Sequence, residues 1–397
     1  MGSATVPRVG SPRRDPEARG CTVAEATRVL IAADKFKGSL TAAQVAGHVA
    51  AGLRRAAPTA DVTALPVADG GDGTVDAALA AGFARREAAV TGPLGEPVVA
   101  AYALRAADGT AVVEMAGASG LRLLPGGRSA PLTATTYGTG ELLRAALDAG
   151  ARTIVLGVGG SATTDGGSGM LAALGGRLAD GAGRPVGPGG AALAALAEAD
   201  LSGLDERLAR TRVVLASDVD NPLTGPRGAA AVYGPQKGAS PADVEVLDAA
   251  LAHYAAVLDG GERAAEPGAG AAGGTGYGAL VGLGAAFRPG IEVMLDVLGF
   301  ETALEGAGLV ITGEGSLDEQ TLHGKAPVGV ARAARARGVP VVAVCGRLAL
   351  DAAALAGAGI ERAYALTDLE PDPRRCMAEA GPLLERLAER VARDHLG

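Results

Sequence analysis

The stretch Arg28-Val-Leu-Ile-Ala-Ala33 is a short apolar run, and together with the segment after it this run decides the fold class. A polar loop comes next, and apolar residues then recur with a helical period from about Thr41 to Ala57. Ser39 or Thr41 is placed to cap the N-terminus of that helix. A strand, a loop and a helix in this order predict the first half of a βαβ unit.

The C-terminal part of the chain shows the same alternation of apolar runs and helical patterns. Strands are predicted at Leu309–Thr312, Val341–Cys345 and Arg362–Leu366, with helices at about Ala326–Arg337 and Met377–Leu396. Parallel strands need crossover connections of this kind. The two ends of the chain are therefore expected to share one parallel sheet.

The middle of the chain has shorter strand candidates and the densest glycine. The candidates are Ala111–Met115, Thr153–Val158 and Val213–Ala216. We predict an α/β fold in which a Rossmann-like parallel-sheet domain is built from both chain ends, residues 28–87 and 291–397. A second α/β domain, residues 88–290, is inserted into it, and a cleft separates the two. Residues 1–27, without an apolar stretch, are expected to form a disordered tail.

Composition excludes several functional classes. The 397 residues carry 36 Lys and Arg against 44 Asp and Glu, a net charge of −8, which argues against nonspecific nucleic-acid binding. The longest apolar stretches run to about ten residues, too short to span a bilayer. Three cysteines without a CxxC pair predict neither a disulfide framework nor a cysteine-ligated zinc site. We expect a cytoplasmic protein with no membrane or nucleic-acid partner.

Lysine is scarce in this chain: only Lys35, Lys37, Lys237 and Lys325 occur among the 36 basic residues. Where arginine replaces lysine so widely, the remaining lysines are expected at positions that need a compact ammonium group. All four lie in polar segments that contain glycine. The alternative is four accidental surface lysines.

The segment Ile31–Leu40 runs from the first strand into the first helix. It places Lys37, the amides of Gly38 and Ser39 and a helix N-terminus at one spot, which suits an anion. It is not a Walker A loop, since the GxxxxGK[ST] pattern does not occur in the chain. An ordinary capped loop is the alternative.

Two acidic segments could hold Mg²⁺ or accept a proton. Pro66–Thr74 contains Asp69 and Asp72 among glycines. Ser217–Gly228 contains a second carboxylate pair, Asp218 and Asp220, together with Asn221 and Arg227. A tight turn with an aspartate cap is the alternative for the first segment, and an Asx turn for the second.

Glycine-rich loops are the remaining candidates for ligand binding. Ile154–Met170 runs from a strand into six glycines, four hydroxyl residues and Asp165, a composition that favours phosphate or carboxylate binding. Val310–Pro327 carries Glu314, Asp318 and Lys325 in a loop after a presumed parallel strand, where open sheets bind ligands. Pro267–Gly274 contains GxGxxG but follows no strand, so we expect a flexible loop near the substrate rather than a dinucleotide site.

Taken together, these segments resemble the bacterial glycerate kinase family. The matching motifs occur in order between residues 34 and 327: DKFKGSL (34–40), PVADGGDGT (66–74), TGPLGEP (91–97), TYGTGE (136–141), Gly157–Met170, Asp218–Leu223, Tyr233–Gly238, Pro267–Gly274 and Thr312–Pro327. The family commonly has Ser at Lys35, Asn at Thr164, Cys at Ser217 and Arg at Ser316. The departures at Lys35 and Ser316 could alter affinity or substrate preference.

The resemblance implies transfer of the γ-phosphoryl group of ATP to a hydroxyl of D-glycerate, with Mg²⁺ required and 2-phosphoglycerate as the usual product. It also implies two α/β domains that face an active-site cleft. Formation of 3-phosphoglycerate is the nearest alternative. An NAD-linked hydroxy-acid oxidoreductase and a noncatalytic hydroxy-acid binder are more remote. ATP and D-glycerate are the expected partners, with a homodimer left open as an assembly.

Phosphoryl transfer depends on positioning the reacting groups and on neutralising their charge. Because lysines and carboxylates cluster in these loops, we expect the loops to form the catalytic site. The residues expected to be catalytic are Lys37, Asp69, Asp72, Asp218 and Lys325. Those expected to bind the nucleotide are Gly159, Gly160, Ser161, Thr163, Asp165, Lys237 and Glu314. Those expected to bind the substrate are Ser39, Asn221, Arg227 and Asp318. Asp218 and Asp220 are the candidate Mg²⁺ ligands, and which aspartate acts as base stays open.

Overall fold

The structure, a computed structural model, describes residues 1–2 and 27–397. Of the disordered tail predicted at residues 1–27, residues 3–26 lie outside the described residues. The described residues form thirteen strands: β1 (Arg28–Ala33), β2 (Asp61–Ala64), β3 (Ala84–Thr91), β4 (Pro97–Arg105), β5 (Thr110–Glu114), β6 (Thr153–Gly157), β7 (Arg177–Asp180), β8 (Leu196–Asp200), β9 (Arg212–Ala216), β10 (Ala286–Arg288), β11 (Leu309–Leu317), β12 (Val341–Leu348) and β13 (Arg362–Ala365).

Fourteen α-helices connect these strands within the described residues. They are α1 (Ala42–Ala56), α2 (Thr74–Ala80), α3 (Ala116–Ser119), α4 (Tyr137–Asp148), α5 (Ser168–Ala173), α6 (Ala229–Tyr233), α7 (Pro241–Asp259), α8 (Ala271–Gly282), α9 (Gly290–Leu298), α10 (Phe300–Leu304), α11 (Ala326–Ala336), α12 (Ala352–Gly357), α13 (Pro373–Ala378) and α14 (Ala380–His395). None of them combines the length and the apolar character that a membrane crossing demands.

Both ends of the chain build one parallel sheet, in the order β13-β12-β11-β1-β2. Its centre joins residues far apart in sequence, since Val29 pairs with Leu309 in parallel register. The apolar run of β1 is buried on both faces because helices cover both sides of the sheet. The predicted parallel sheet from the two chain ends is confirmed.

A second sheet is formed by the middle of the chain, in the order β10-β9-β6-β5-β4-β3. Strands β5, β6, β9 and β10 are parallel, whereas β3 and β4 run antiparallel at one edge. Strands β7 and β8 form a separate antiparallel pair. The fold is therefore α/β with a second α/β domain inserted into the first.

The predicted domain boundary at residue 87 falls inside β3, all of which belongs to the six-stranded sheet. We therefore propose that the first crossover lies at the turn around Gly82. The return crossover is proposed at Gly290, the first residue of α9. Helices α2 and α9 lie between the two sheets, and one apolar cluster joins Leu30 and Ala32 of the first sheet to Val155 and Val214 of the second.

Helix α1 begins with a capping box. The Thr41 hydroxyl accepts from the N–H of Gln44 at 3.2 Å, and Gln44 Oε1 accepts from the N–H of Thr41 at 2.9 Å. Ser39, the other predicted cap, instead donates its hydroxyl to the carbonyl of Phe36 at 3.1 Å. The capped helix packs along α14 and covers the outer face of the five-stranded sheet.

Three expectations about local structure are wrong. β11 extends to Leu317, five residues beyond the predicted strand, because Glu314 and Ser316 still pair with Cys345 and Arg347 of β12. The predicted final helix is two helices, interrupted at Glu379. The GxGxxG segment at 268–273 is not a flexible loop, because nearly all of it is buried and the carbonyl of Gly273 accepts from the N–H of Gly166 at 3.0 Å.

Candidate active site

The cleft lies where the five-stranded sheet reverses its strand order. From β1 the chain proceeds to β2 on one side, whereas from β11 it proceeds to β12 and β13 on the other. Open α/β sheets bind ligands at the carboxyl ends of the strands beside such a switch point. Here residues 34–39 follow β1, residues 314–317 form the last part of β11 and residues 318–325 follow it, and a cleft of 790 Å³ opens above them.

This cleft brings together eight of the residues predicted from the sequence. They are Lys37, Ser39, Asp69, Asp72, Gly159, Gly160, Glu314 and Lys325. The residues come from both sheets, so the cleft lies between the two domains. Charged side chains that sequence reasoning did not assign also line it: Asp34, Lys35, Arg122 and Arg347. Asp34 stands inside the quoted DKFKGS motif, a signal that could have identified it.

The Asp69–Asp72 loop is held by close backbone contacts with the second domain. A Cβ at Gly290 would lie 1.8 Å from the carbonyl oxygen of Asp69, and a Cβ at Gly159 would lie 2.6 Å from the Cα of Gly71. Glycine is therefore required at both positions for steric reasons. The carboxylate of Glu114 also accepts from the N–H of Gly73 at 3.2 Å and fixes the end of the loop.

Two carboxyl groups, the buried Asp34 in the cleft lining and the partly desolvated Asp218 beside it, have raised pKa values. Burial, aided by the nearby charges of Asp69 and Glu314, raises the pKa of Asp34 to about 7, although Lys35 opposes the shift. Burial, with Asp69 adding to it, raises the pKa of Asp218 to about 6, while a hydrogen bond from the N–H of Gly290 at 2.8 Å opposes it. Both groups therefore change protonation near neutral pH.

The cations of the cleft differ in how far they are already paired. Lys325 Nζ lies 3.4 Å from a carboxylate oxygen of Glu314 and 4.0 Å from one of Asp318. Lys35 Nζ donates to the carbonyl of Asp72 at 2.5 Å. Lys37 is exposed and makes no salt bridge with the described residues. Lys37 is thus available to an anionic ligand, as is Arg347, which lines the same cleft, is exposed and makes no salt bridge with the described residues.

Arg122 adds an exposed cation on the side of the inserted domain. Its guanidinium lies 2.7 Å from a carboxylate oxygen of Asp72, and both side chains remain accessible to solvent. An exposed ion pair of this kind contributes little to stability, so either partner can turn to a ligand at small cost. Nothing in the local sequence pattern around Arg122 distinguishes it from the other arginines.

Three of the predicted nucleotide-binding side chains are buried and do not line the cleft: Thr163, Asp165 and Lys237. Asp165 is fully buried and accepts from the N–H and the hydroxyl of Thr136 at 2.8 and 2.9 Å. Lys237 is 2 % exposed and donates to the carbonyl of Thr163 at 2.5 Å. Burial lowers the pKa of Lys237 to about 7. None of these side chains lines the cleft, and the hydrogen bond from Lys237 to the Thr163 carbonyl holds the loop from behind.

Ser161, in the same loop, does not line the cleft either. It is 6 % exposed and pairs as an isolated bridge with Gly120.

The predicted substrate-binding residues of the 217–228 segment also lie outside the cleft lining. Asn221 donates to the carbonyl of Arg227 at 2.8 Å and accepts from the hydroxyl of Tyr233 at 2.5 Å. Arg227 lies 3.6 Å from Asp220, and both side chains are more than two-thirds exposed. Asp318 caps the short helical turn Glu319–His323. The structure gives these residues local structural partners and does not bring Asn221, Arg227 or Asp220 to the cleft.

The carboxylates of the described chain do not form a complete metal site by themselves. Across residues 1–2 and 27–397, no group of three or more His, Cys, Asp or Glu side chains is arranged to hold a metal ion. Mg²⁺ characteristically uses only one or two protein carboxylates and completes its octahedron with phosphate oxygens and water. Asp69 and Asp72 at the cleft fit that role, whereas exposed Asp220 beside Arg227 does not.

The protein is thus a two-domain α/β protein whose cleft lies at the switch point of the five-stranded sheet. The charged residues that line this cleft suit an anionic ligand. Comparison with known proteins then gives the family: residues 29–396 match the glycerate kinase family, and the chain belongs to it.

Relatives and a solved structure agree with this assignment. The chain is 47 % identical to a glycerate kinase of Bacillus subtilis (strain 168), across 92 % of this chain and 97 % of the relative. It is 45 % identical to a glycerate 2-kinase of Escherichia coli (strain K12), across 85 % and 90 %. A crystal structure described as glycerate kinase 2 from Salmonella typhimurium LT2 superposes with a TM-score of 0.82 at 44 % identity, covering 93 % of this chain and 98 % of that one.

Proposed function

We propose that this protein transfers the γ-phosphoryl group of ATP to the 2-hydroxyl of D-glycerate, giving 2-phosphoglycerate and ADP. The observation that carries the proposal is the convergence of Lys37, Lys325 and four carboxylates at a switch-point cleft between two domains. Family membership supports glycerate as the acceptor, and the name of the Escherichia coli relative supports the 2-position.

The phosphates are proposed to lie between Lys37, Lys325 and the backbone of Gly159 and Gly160. Lysine ammonium groups and backbone N–H groups are the usual partners of phosphate oxygens. Charge neutralisation there matters because negative charge spreads over the transferring group in the transition state. Bound Mg²⁺, held through Asp69 or Asp72 and the phosphate oxygens, would supply further neutralisation of that charge.

Asp34 is the proposed base, ahead of the predicted alternatives Asp69, Asp72 and Asp218. A general base works best when its pKa lies near the operating pH, and Asp34 lines the cleft with a pKa of about 7. The hydroxyl oxygen forms a bond to the γ-phosphorus, the bond from that phosphorus to the β–γ bridging oxygen breaks, and the hydroxyl proton passes to the Asp34 carboxylate. Asp218 is the second candidate.

Remaining roles follow from position relative to the cleft. Arg122 is proposed to hold the glycerate carboxylate, since it lines the cleft and its guanidinium can donate hydrogen bonds to it. Ser39 lines the same cleft and would join this contact by turning its hydroxyl away from the carbonyl of Phe36. Thr163, Asp165 and Lys237 are proposed to position the glycine loop from behind.

A coupled assay of ADP formation tests the proposal. ADP should form only when glycerate, ATP and Mg²⁺ are all present, with tartronate and hydroxypyruvate as comparison acceptors and nicotinamide absorbance as a parallel control. Phosphorus and proton NMR of the product assigns the phosphorylated hydroxyl. A 3-phosphoglycerate product would overturn the regiochemistry. Nicotinamide turnover, or glycerate binding without ADP formation, would overturn the kinase assignment.

A further inference from the structure

One part of the cleft lining has a chemistry unlike the rest. Beside the charged groups the cleft is lined by the mostly apolar set Leu366, Thr367, Pro373, Cys376 and Met377, which we call the apolar wall. These residues follow β13 and continue into α13. Met377 is 54 % exposed although it is a large apolar residue. An exposed apolar surface inside a binding cleft is typical of a surface that a ligand covers.

The apolar wall adjoins the proposed phosphate-binding segment directly. A Cβ at Gly38 would lie only 3.1 Å from the terminal methyl group of Met377. Gly315 and Gly346, near the ends of β11 and β12, line the same cleft, and a Cβ at these positions would lie 3.3 Å from the N of Lys37 and 2.6 Å from the carbonyl oxygen of Gly315, respectively. The strand ends therefore pack closely against the Lys37 segment, so the wall and that segment belong to one continuous cleft lining.

We propose that the apolar wall binds the purine base of the nucleotide, with the phosphates extending from it towards Lys37 and Lys325. The proposal rests on the proposed function in so far as the nucleotide is the phosphoryl donor. Glycerate cannot account for the wall, because a three-carbon hydroxy acid has almost no apolar surface to bury. An aromatic base has a broad apolar face, and a methionine thioether packs well against such a ring.

Direct binding measurements test the position of the base without turnover. Calorimetry with ADP and with inorganic tripolyphosphate separates the base and ribose from the phosphates. Met377→Ala should weaken ADP binding about tenfold, since it removes roughly 50 Å² of apolar contact. Tripolyphosphate binding should stay within about twofold of wild type, because the phosphate contacts are unchanged.

Matched variants complete the test. Met377→Leu keeps an apolar side chain and should bind ADP like wild type, and Val246→Ala removes an exposed apolar side chain of α7 outside the cleft and should also have no effect. In steady-state assays Met377→Ala should raise the KM for ATP while the KM for glycerate is unchanged.

The outcomes separate this inference from the proposed function. ADP binding by Met377→Ala within twofold of wild type, or an effect on glycerate instead of ATP, overturns the position of the base and leaves the kinase assignment standing. Loss of ADP affinity in Met377→Ala supports the base position even where glycerate is not the acceptor. A wild-type protein that binds no ADP overturns both the nucleotide donor and the base position.

Discussion

The N–H of Gly290 donates a hydrogen bond of 2.8 Å to Oδ1 of Asp218, at the point where the chain leaves the six-stranded sheet and enters α9. Gly290 also abuts the carbonyl of Asp69. One backbone position therefore holds a carboxylate of the inserted domain and the acidic loop of the other domain together.

Gly290→Ala should destabilise the protein by about 3 kcal/mol, because a Cβ 1.8 Å from the Asp69 carbonyl forces backbone apart. Urea unfolding measures the change. Gly47→Ala is the matched control: Gly47 lies exposed inside α1 with no atom within 4 Å of an added Cβ. That variant should gain up to about 1 kcal/mol from helix propensity. Equal stability of Gly290→Ala and wild type would contradict the close approach.

Lys37→Ala should lower kcat by a factor of about 10² to 10³, the loss typical of one removed donor to developing negative charge, or roughly 3–4 kcal/mol. The side chain is exposed and makes no salt bridge with the described residues, so the fold should be unaffected. Steady-state kinetics and a thermal melt separate the two effects. Arg386→Ala, which removes an exposed cation of α14, serves as control. Full turnover by Lys37→Ala would remove Lys37 from the site.

The pH dependence of turnover should identify the base. If Asp34 accepts the proton, kcat/KM should rise with pH and level off above about 7, where the carboxyl group is ionised. Asp34→Asn should lower kcat/KM by a factor of about 10² to 10⁴ and should abolish this rise with pH. A wild-type profile that levels off nearer 6, with the loss found in Asp218→Asn instead, would assign the base to Asp218.

Lys237 should make stability depend on pH in the alkaline range. Its pKa is about 7 in the folded protein and 10.5 in the unfolded chain. Between these values the unfolded state binds more protons, so stability should rise with pH from 7 to about 10. Urea unfolding at pH 7 and pH 9.5 measures the rise in the free energy of unfolding, which is a few kcal/mol at most, at roughly 1.4 kcal/mol per pKa unit. Lys237→Met should abolish this rise. An unchanged slope in Lys237→Met would show that another group is responsible.

Two strands at one side of the six-stranded sheet show where sequence patterning stops being informative. Neither β3 nor β4 was predicted from the sequence, although the two strands pair with each other over eight residues. Most of β3 is exposed and carries Arg and Glu, so it has neither an apolar run nor a clean alternation. Their pairing is set by contact with each other and with β5, which local patterning does not encode.

Lys37 and Lys237 show the same limit at the site. Both lysines were predicted to be functional because lysine is rare in this chain. The structure places Lys37 at the cleft and Lys237 in the interior, where it is 2 % exposed. Burial depends on which distant segments pack around a side chain. For the same reason the raised pKa of Asp34 follows from its burial, aided by the charges of Asp69 and Glu314, which are distant in sequence, whereas its sequence neighbour Lys35 opposes the shift.

The sequence established the α/β class, the parallel sheet built from both chain ends and the positions of α1 and α11, because apolar periodicity and capping residues act over a few neighbouring residues. It also determined which loops carry charge and glycine. Which of those loops meet in the cleft, how far β11 extends and which carboxyl groups are buried follow from the packing of the folded chain alone. Those properties arise from contacts between residues as far apart as Val29 and Leu309, whose pairing exists only in the folded chain.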